Sequence, residues 1–259
     1  MKSQTVVRKK PGRRASTTQS LLEERKLLIG ILETLSQSRH MNEYLEQLVA
    51  QVRDYSGCQY VGIRLLDDDG NIPYVAYNGF SQEFYESESP LCIKSDKCMC
   101  VNVITEDTDS GLPFYTVGGS FLSNGTAKLL NAVPKEVIGE HRGICNQYGY
   151  ESVALVPMRL KDRTMGLIHL SDEVEGKILI EKVRFLERVG VYIGEALHAF
   201  MAEEALQESE RRYRDLYEEA PNAYFSVRVD GCIERTNRRA AELLGYSSDE
   251  LMGRPVFDL

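Results

Sequence analysis

The sequence lacks the features that mark exported and membrane-spanning proteins. No apolar run approaches the roughly 20 residues needed to cross a bilayer, and the best candidate, residues 189–201, is interrupted by glycine, glutamate and histidine. The basic start of the chain leads into the polar stretch 15–20, where a secretory signal needs an apolar segment. These absences predict a cytoplasmic protein that does not insert into a membrane.

Acidic residues are missing from the first fourteen positions, which instead carry six lysines and arginines. The chain carries a net charge of −8, so the remainder after these six positive charges carries −8 − 6 = −14 and is strongly acidic. An acidic body repels nucleic acid, so no nucleic-acid partner is expected. A short basic run of this kind is typical of a solvated arm, and residues 1–20 are interpreted as a disordered tail.

Hydrophobic periodicity predicts helices at both ends of the first two hundred residues. Apolar residues at three- and four-residue spacings predict helices over 21–38, capped by Ser20, and over 42–55. A shorter helix-like piece occurs at Thr126–Ala132. After Gly176 the chain continues as a long helix, whose apolar residues recur in heptads.

This heptad pattern predicts that two chains pair along the long helix. The seam consists of Leu179, Val183, Leu186, Ile193, Leu197 and Phe200. Such spacing is typical of a coiled coil, and it makes a second copy of the chain the expected partner. A single helix packed on its own domain would show the same pattern over three heptads.

Two β-hairpins are predicted between these helices, which makes the fold class α+β. Apolar and polar residues alternate over 58–66, and an Asp-Gly turn leads to a second strand at 72–77. Residues 151–160 and 165–170 form a more apolar hairpin, whose first strand should be central in the sheet. The intervening residues 79–147 are interpreted as long connections that build a pocket.

The order helix, helix, hairpin, long connections, apolar hairpin and exit helix resembles the GAF fold. Residues 149–157 (GYESVALVP) and 166–170 (GLIHL) look like the last two central strands of that family. The resemblance covers about residues 21–202 and implies an antiparallel sheet with flanking helices. It places a GAF-like sensory domain at 21–177 and a signalling linker helix at 178–211.

The rest of the chain resembles the start of a PAS domain. The resemblance is carried by 212–221 (RYRDLYEEAP), Asp230-Gly231, Asn237 and 243–253 (LLGYSSDELMG). PAS domains continue with another helix and three strands, so residues 212–259 are expected to be the N-terminal part of such a domain. Tandem GAF and PAS units resemble the input side of sensor histidine kinases. The sequence has neither a phospho-accepting histidine box nor glycine-rich ATP-binding segments, so an input module without catalytic activity is expected, with a kinase or other output domain as its partner.

Cysteines concentrate the chemistry of the predicted pocket. Cys92, Cys98 and Cys100 lie close together, Cys145 follows, and Cys98 and Cys100 point the same way on an extended chain. Reduced structural thiols, a redox switch that forms a disulfide to Cys145, and a haem or metal site all stay open. The usual C-x2-C pairs of a metal or iron–sulfur site are missing, and no firm metal site is predicted.

Histidines and tyrosines supply the remaining candidates. His141 in a polar loop and His169 on a predicted strand are the candidate axial ligands if the otherwise unknown cofactor is haem. A satisfied core histidine is the simpler interpretation of His169. Tyr148 and Tyr150 could line a ligand pocket or belong to the core.

The function predicted is a sensory input module of a signal-transduction protein. A small ligand, haem or a redox event in the GAF pocket would shift the exit helix and bias the pairing of two chains. The alternative is a cysteine-dependent enzyme, because some GAF-fold proteins reduce free methionine sulfoxide through cysteines in mobile loops. Bilin and cyclic-nucleotide binding are not expected, since neither a Cys-His pair nor the Asn-Lys-Phe-Asp-Glu series occurs.

Overall fold

The computed structural model describes residues 13–89 and 91–259, with side chains from residue 18 onward. Contacts divide the chain into two compact units, one ending at Ala199 and the other spanning Phe200–Leu259. Among the described helices, none combines the length and the hydrophobicity that a bilayer crossing requires.

A five-stranded antiparallel sheet forms the centre of the first unit. Its strands are β1 (Tyr60–Leu65), β2 (Tyr74–Asn78), β3 (Phe121–Ser123), β4 (Ser152–Leu160) and β5 (Arg163–Asp172). Their order is β2-β1-β5-β4-β3, so both predicted hairpins are present and β4 has a neighbour on each side. The α+β fold class is confirmed. Strand β3 was not predicted, because three residues are too short to show an alternating pattern.

Two helices precede the sheet, and the first begins earlier than predicted. α1 (Arg13–Gln37) packs on α2 (Met41–Ser56), which packs on β1 and β2. Ser20 lies inside α1 and does not cap it, because residues 13–20 contain neither glycine nor proline to stop the helix. Residues 13–20 of the expected disordered tail are therefore helical, and residues 1–12 lie outside the described residues.

The segment 79–147 is built from short helices and β3. The helices are α3 (Gln82–Glu88), α4 (Met99–Ile104), α5 (Thr126–Ala132), α6 (Lys135–Ile138) and α7 (Ile144–Gln147). The helix predicted at Thr126–Ala132 is confirmed at both ends. The other pieces are too short for a helical period to stand out in the sequence.

The exit helix α8 (Ile180–Glu218) buries most of its predicted pairing seam inside its own unit. Val183, Leu186, Ile193 and Leu197 are each 0% exposed, whereas Leu179 precedes the helix and is 55% exposed. Phe200 is half-buried. These buried residues are covered by their own unit, so the prediction that they pair with a second chain is wrong. The sequence could not distinguish the two cases, because a helix face that packs on its own core and a short heptad seam have nearly the same spacing of apolar residues.

Two glycines allow α8 to lie directly on the sheet. A Cβ at Gly194 would stand 2.2 Å from the carbonyl oxygen of Arg159, and a Cβ at Gly190 would stand 2.6 Å from that of Pro157. Both carbonyls belong to β4, so the helix contacts this strand at backbone distance. The N-terminal part of α8 is therefore a structural layer of the first unit.

The second unit contains the C-terminal half of α8 and a two-stranded sheet. Its elements after α8 are β6 (Phe225–Val227), β7 (Ile233–Thr236), α9 (Arg238–Leu244), α10 (Ser248–Leu251) and a short 3-10 helix (Val256–Asp258). The fully buried side chain of Asn237 caps α9 by accepting from the backbone N–H of Ala240. Its amide also donates to the carbonyls of Tyr217 and Asn222, which joins α8 to the sheet within this unit.

Candidate functional site

A small, largely apolar cavity of about 60 Å³ lies between the sheet and the short helices of the first unit. Its walls come from α3, α4, β3, α5, α7, β4 and the segment before α7. The apolar part of the wall includes Met99, Phe121, Leu129, Leu130, Ile144, Val153 and Leu155. The polar part includes Glu88, Cys98, Cys100, Thr126, His141, Cys145 and Asn146. A cavity of this volume has room for roughly five water molecules, so it fits only a small ligand.

The fold brings four of the predicted site residues together at this cavity. Cys98, Cys100, His141 and Cys145 all line it, although the chain separates the first cysteine pair from the other two residues. Cys92 does not line it: the residue pairs with Asn71 beside the β1–β2 turn. Three of the four cysteines that were predicted to share one pocket therefore do so, and Cys92 does not.

The three thiols differ in acidity. Cys98 precedes α4 as its N-cap, and a hydrogen bond from the Cys100 thiol lowers the pKa of Cys98 to about 7. Donating that bond, together with burial, raises the pKa of Cys100 well above its usual value. Burial also raises the pKa of Cys145. Cys98 is thus the thiol that most readily becomes a thiolate, the form that reacts as a nucleophile.

His169 lies in the core behind the cavity wall. Its Nδ1 is 2.6 Å from the hydroxyl of Tyr74, and its Nε2 is 2.7 Å from the hydroxyl of Ser171 and 4.0 Å from the Cys145 sulfur. Burial lowers the pKa of His169 to about 3, so the ring is neutral. Both ring nitrogens already have partners, which makes His169 a satisfied core histidine.

The other ring side chains divide between the cavity and the core. His141 is half-buried, and its Nδ1 lies 3.1 Å from the carbonyl oxygen of Gly139. Tyr150 is buried, with its ring 4.7 Å from that of Tyr60 and 5.1 Å from that of Phe84. Tyr148 packs edge-on against Phe84. Neither tyrosine lines the cavity: Tyr150 belongs to the aromatic core beside it, whereas Tyr148 is exposed at the edge of that core.

A buried ion pair that sequence reasoning missed stands next to the cavity. Arg64 is fully buried, and its guanidinium donates to the carbonyls of Ile72 (2.7 Å) and Glu88 (3.0 Å) and to Glu88 Oε2 (3.1 Å). The same group lies 3.8 Å above the ring of Tyr74. In the sequence, Arg64 falls at a polar position of the alternating pattern in β1. The structure shows that this face is buried, because α3 covers it.

Glu88 lines the cavity, and its second carboxylate oxygen, Oε1, is buried without a hydrogen-bond partner within the described ranges. The residue as a whole is 1% exposed. Nη1 of Arg142 lies 3.9 Å from Oε1. Burial raises the pKa of Glu88, and the positive charges of Arg64 and Arg142 oppose this shift.

The cavity wall is also tied to α8. Phe121 of β3 lines the cavity, and the preceding Ser120 donates from its hydroxyl to Oε1 of Glu187 at 2.6 Å. The hydroxyl of Thr116 donates to the same oxygen. A Cβ at Gly118 would overlap the Glu187 carboxylate, so this turn closes tightly over the helix. Phe121 is therefore separated from α8 by a single neighbouring residue, Ser120, which contacts the helix directly.

No metal centre accompanies these groups in the described part of the chain, where no three histidine, cysteine or acidic side chains could together hold a metal ion. All six cysteines lie in that part and are free thiols. The arrangement is an apolar chamber whose lining residues include one buried glutamate and three cysteines.

Comparisons with known proteins identify the two units. A family model described as a GAF domain matches residues 40–197, and one described as a PAS fold matches residues 211–259. No curated protein sequence gave a significant match.

Solved structures give the same fold for the first unit. The GAF domain of a phosphoenolpyruvate-protein phosphotransferase from Coxiella burnetii is 12% identical, with a TM-score of 0.55 over 71% of this chain and 98% of that chain. The corresponding domain from Acinetobacter is 15% identical, with a TM-score of 0.52 over 72% and 98%. The free methionine-R-sulfoxide reductase of Neisseria meningitidis is 13% identical, with a TM-score of 0.53 over 71% and 93%. These similarities concern the fold, and the GAF model covers more than half of the residues: the chain belongs to the GAF domain family, and a PAS fold follows its GAF domain.

Proposed function

We propose that this chain is a cytoplasmic sensory input module, which binds a small ligand in the GAF cavity and passes the signal along α8 to the PAS fold and an output domain such as a histidine kinase. The observation that carries the proposal is the contact of Ser120 with Glu187, next to Phe121 in the cavity wall. A ligand that moves Phe121 changes this hydrogen bond and biases the position or mobility of α8.

The first experiment identifies what the protein retains on purification. The chain is unfolded in guanidinium chloride, released molecules are identified by mass spectrometry, and an ultraviolet-visible spectrum is recorded beforehand. A Soret band would indicate haem, for which His141 is the available axial ligand because the ring nitrogens of His169 are already engaged. A colourless protein that releases a small organic compound would support the ligand-binding form of the proposal.

Amide hydrogen exchange then tests the link to α8. The released compound is added back to refolded protein, and exchange is measured over the first half of α8. We expect binding to change this exchange in the wild type, and Glu187→Gln to reduce the change without preventing binding. Glu195→Gln, on the exposed side of the same helix, should respond like the wild type. Binding that leaves the exchange of α8 unchanged in the wild type would refute the relay.

Pairing of two chains, if it accompanies signalling, needs a seam other than the buried one. In the C-terminal half of α8, exposed residues recur at alternating four- and three-residue spacings: Ala202, Leu206, Ser209, Tyr213 and Leu216. We propose that this face pairs with the same face of a second copy. Oxidative crosslinking of Leu206→Cys should give a linked peptide, and Glu204→Cys, about 200° around the helix, should not. Equal crosslinking of both variants would exclude this seam.

A second candidate function is thiol-dependent reduction of free methionine sulfoxide. It is favoured by the three thiols in one cavity and by the fold shared with the Neisseria reductase. The sulfoxide oxygen would pass to Cys98, which leaves methionine and a sulfenic acid. The thiol of Cys100 or Cys145 would then displace water to form a disulfide, which an added dithiol reduces.

Turnover separates the two candidates. Methionine release from methionine-R-sulfoxide is measured with dithiothreitol as the reductant. Turnover that disappears in Cys98→Ser and persists in Cys232→Ser, a cysteine of the second unit, would establish the enzyme and displace the sensor proposal. A wild-type rate no higher than that of Cys98→Ser would exclude the reductase.

A further inference from the structure

We infer that the thiols of Cys98 and Cys100 form a two-coordinate site for Cu(I) in the wall of the cavity. The site goes beyond the small-ligand binding proposed above, because that role requires neither thiol. On binding, each thiol that still carries its proton loses it to solvent, both sulfurs bond to the ion as thiolates, and the copper keeps its oxidation state.

The two thiols are in contact before any ion arrives. Cys98 precedes α4 in an extended conformation, and Cys100 is the second residue of that helix. The Cys100 thiol donates a hydrogen bond to the sulfur of Cys98, and both residues line the cavity. The sulfur of Cys145 instead lies 4.0 Å from Nε2 of His169. An ion that replaces the shared proton would therefore bridge two groups on one short stretch of chain.

The number of available ligands selects the ion. Thiolates favour Cu(I), zinc and iron–sulfur clusters. Structural zinc and iron–sulfur sites take four protein ligands, and in the described ranges no three histidine, cysteine or acidic side chains could hold a metal together. Cu(I) is a soft ion that is stable with only two thiolates. The contact of Cys98 with Cys100 supplies that set and no larger one.

The charges beside the thiols suit such a complex, which carries one negative charge. Arg64 is fully buried, and its positive charge favours the thiolate form of both Cys98 and Cys100. Glu88 opposes a thiolate at Cys98, and its own charge is paired with Arg64 at 3.1 Å. The complex would thus have a buried positive charge beside it.

The ion can enter through Cys98. This residue is partly exposed, whereas Cys100 is only 2% exposed. The cavity of about 60 Å³ has room for a bare ion and excludes a bulky chelate. A donor thiol outside the cavity would therefore pass Cu(I) first to Cys98, and Cys100 would then displace the donor.

Competition for Cu(I) tests the site. The full chain is reduced with dithiothreitol, freed of it under nitrogen, and titrated into the coloured Cu(I) complex of bicinchoninate. We expect the wild type to withdraw one Cu(I) per chain. Cys98→Ser and Cys100→Ser should each weaken binding at least about 100-fold, since loss of an outer-shell partner alone costs about 10–100-fold. Cys92→Ser and Cys232→Ser, which replace partly exposed cysteines outside the cavity, should bind like the wild type, and Cys145→Ser should keep the site.

Two measurements on the wild type keep the test valid if a serine variant fails to fold. X-ray absorption at the copper edge should show two sulfur neighbours. Cu(I) should also slow the alkylation of Cys98 by iodoacetamide, while Cys92 reacts at an unchanged rate.

The outcomes separate this inference from the proposed function. It would be overturned by a wild type that withdraws no Cu(I), by full binding in Cys98→Ser or Cys100→Ser, by a requirement for Cys145, or by copper held mainly through nitrogen or oxygen. None of these results bears on the exchange of α8 with the co-purified compound, which tests the proposed function independently.

Discussion

The buried pair of Arg64 and Glu88 should be strongly coupled, and a double-mutant cycle would measure the coupling. Arg64→Met keeps an unbranched side chain of similar length but removes every hydrogen bond of the guanidinium. The Glu88 carboxylate then loses its partner at 3.1 Å, and the carbonyls of Ile72 and Glu88 lose their donors. An uncompensated buried charge typically costs about 3–5 kcal/mol, so we expect a loss of this size in the free energy of unfolding.

The second substitution should recover part of this loss. Glu88→Met alone leaves the Arg64 charge buried without its carboxylate and should also cost about 3–5 kcal/mol. In the double variant no charge remains, and the main residual cost is the two carbonyls, at about 1–3 kcal/mol each. The double variant should therefore be more stable than the sum of the single effects predicts, by about 2 kcal/mol or more.

Urea unfolding followed through the Met99 methyl signal provides the assay, because this residue belongs to the first unit. Arg214→Met, an exposed arginine of α8, is the matched control and should change stability by less than about 0.5 kcal/mol. Additive single effects, or a loss below about 1 kcal/mol in Arg64→Met, would refute the view that this pair carries buried charge.

Two further predictions follow from the core of the first unit. The pKa of His169 is about 3 in the folded chain and about 6.5 when unfolded, so the unfolded state binds the proton first as pH falls. Between pH 7 and pH 5 the wild type should lose about 2 kcal/mol more stability than His169→Gln, as measured by urea unfolding; parallel losses would contradict a neutral buried ring. Gly194→Ala should destabilise the protein by about 1–3 kcal/mol in the same assay, because its Cβ would stand 2.2 Å from a backbone oxygen of β4. Gly30→Ala in α1, where the nearest atom is 3.2 Å away on the flexible side chain of Gln51, should gain up to about 1 kcal/mol, and equal effects at both glycines would contradict the close approach of α8.

The sequence by itself determined the elements whose pattern is local. Both hairpins could be predicted because alternation over several residues reports a strand, and Thr126–Ala132 because its spacing reports a helix. The order of the elements, with residues 149–157 and 166–170, indicated the GAF family, and the motifs in 212–253 indicated the PAS family. Cys98, Cys100, Cys145 and His141 were also identified in advance as pocket residues, from their residue types and their position in the long connections.

Only the tertiary structure decided which faces are covered and which distant groups meet. The stripe containing Ile193 packs on its own sheet because Gly190 and Gly194 admit the backbone of β4, and the heptad spacing carries no information about that partner. Arg64 and Glu88 lie in separate elements, and each looks solvent-exposed in its local pattern. Their pairing depends on how α3 closes over β1, which is a contact between segments far apart along the chain, so no local period can reveal it.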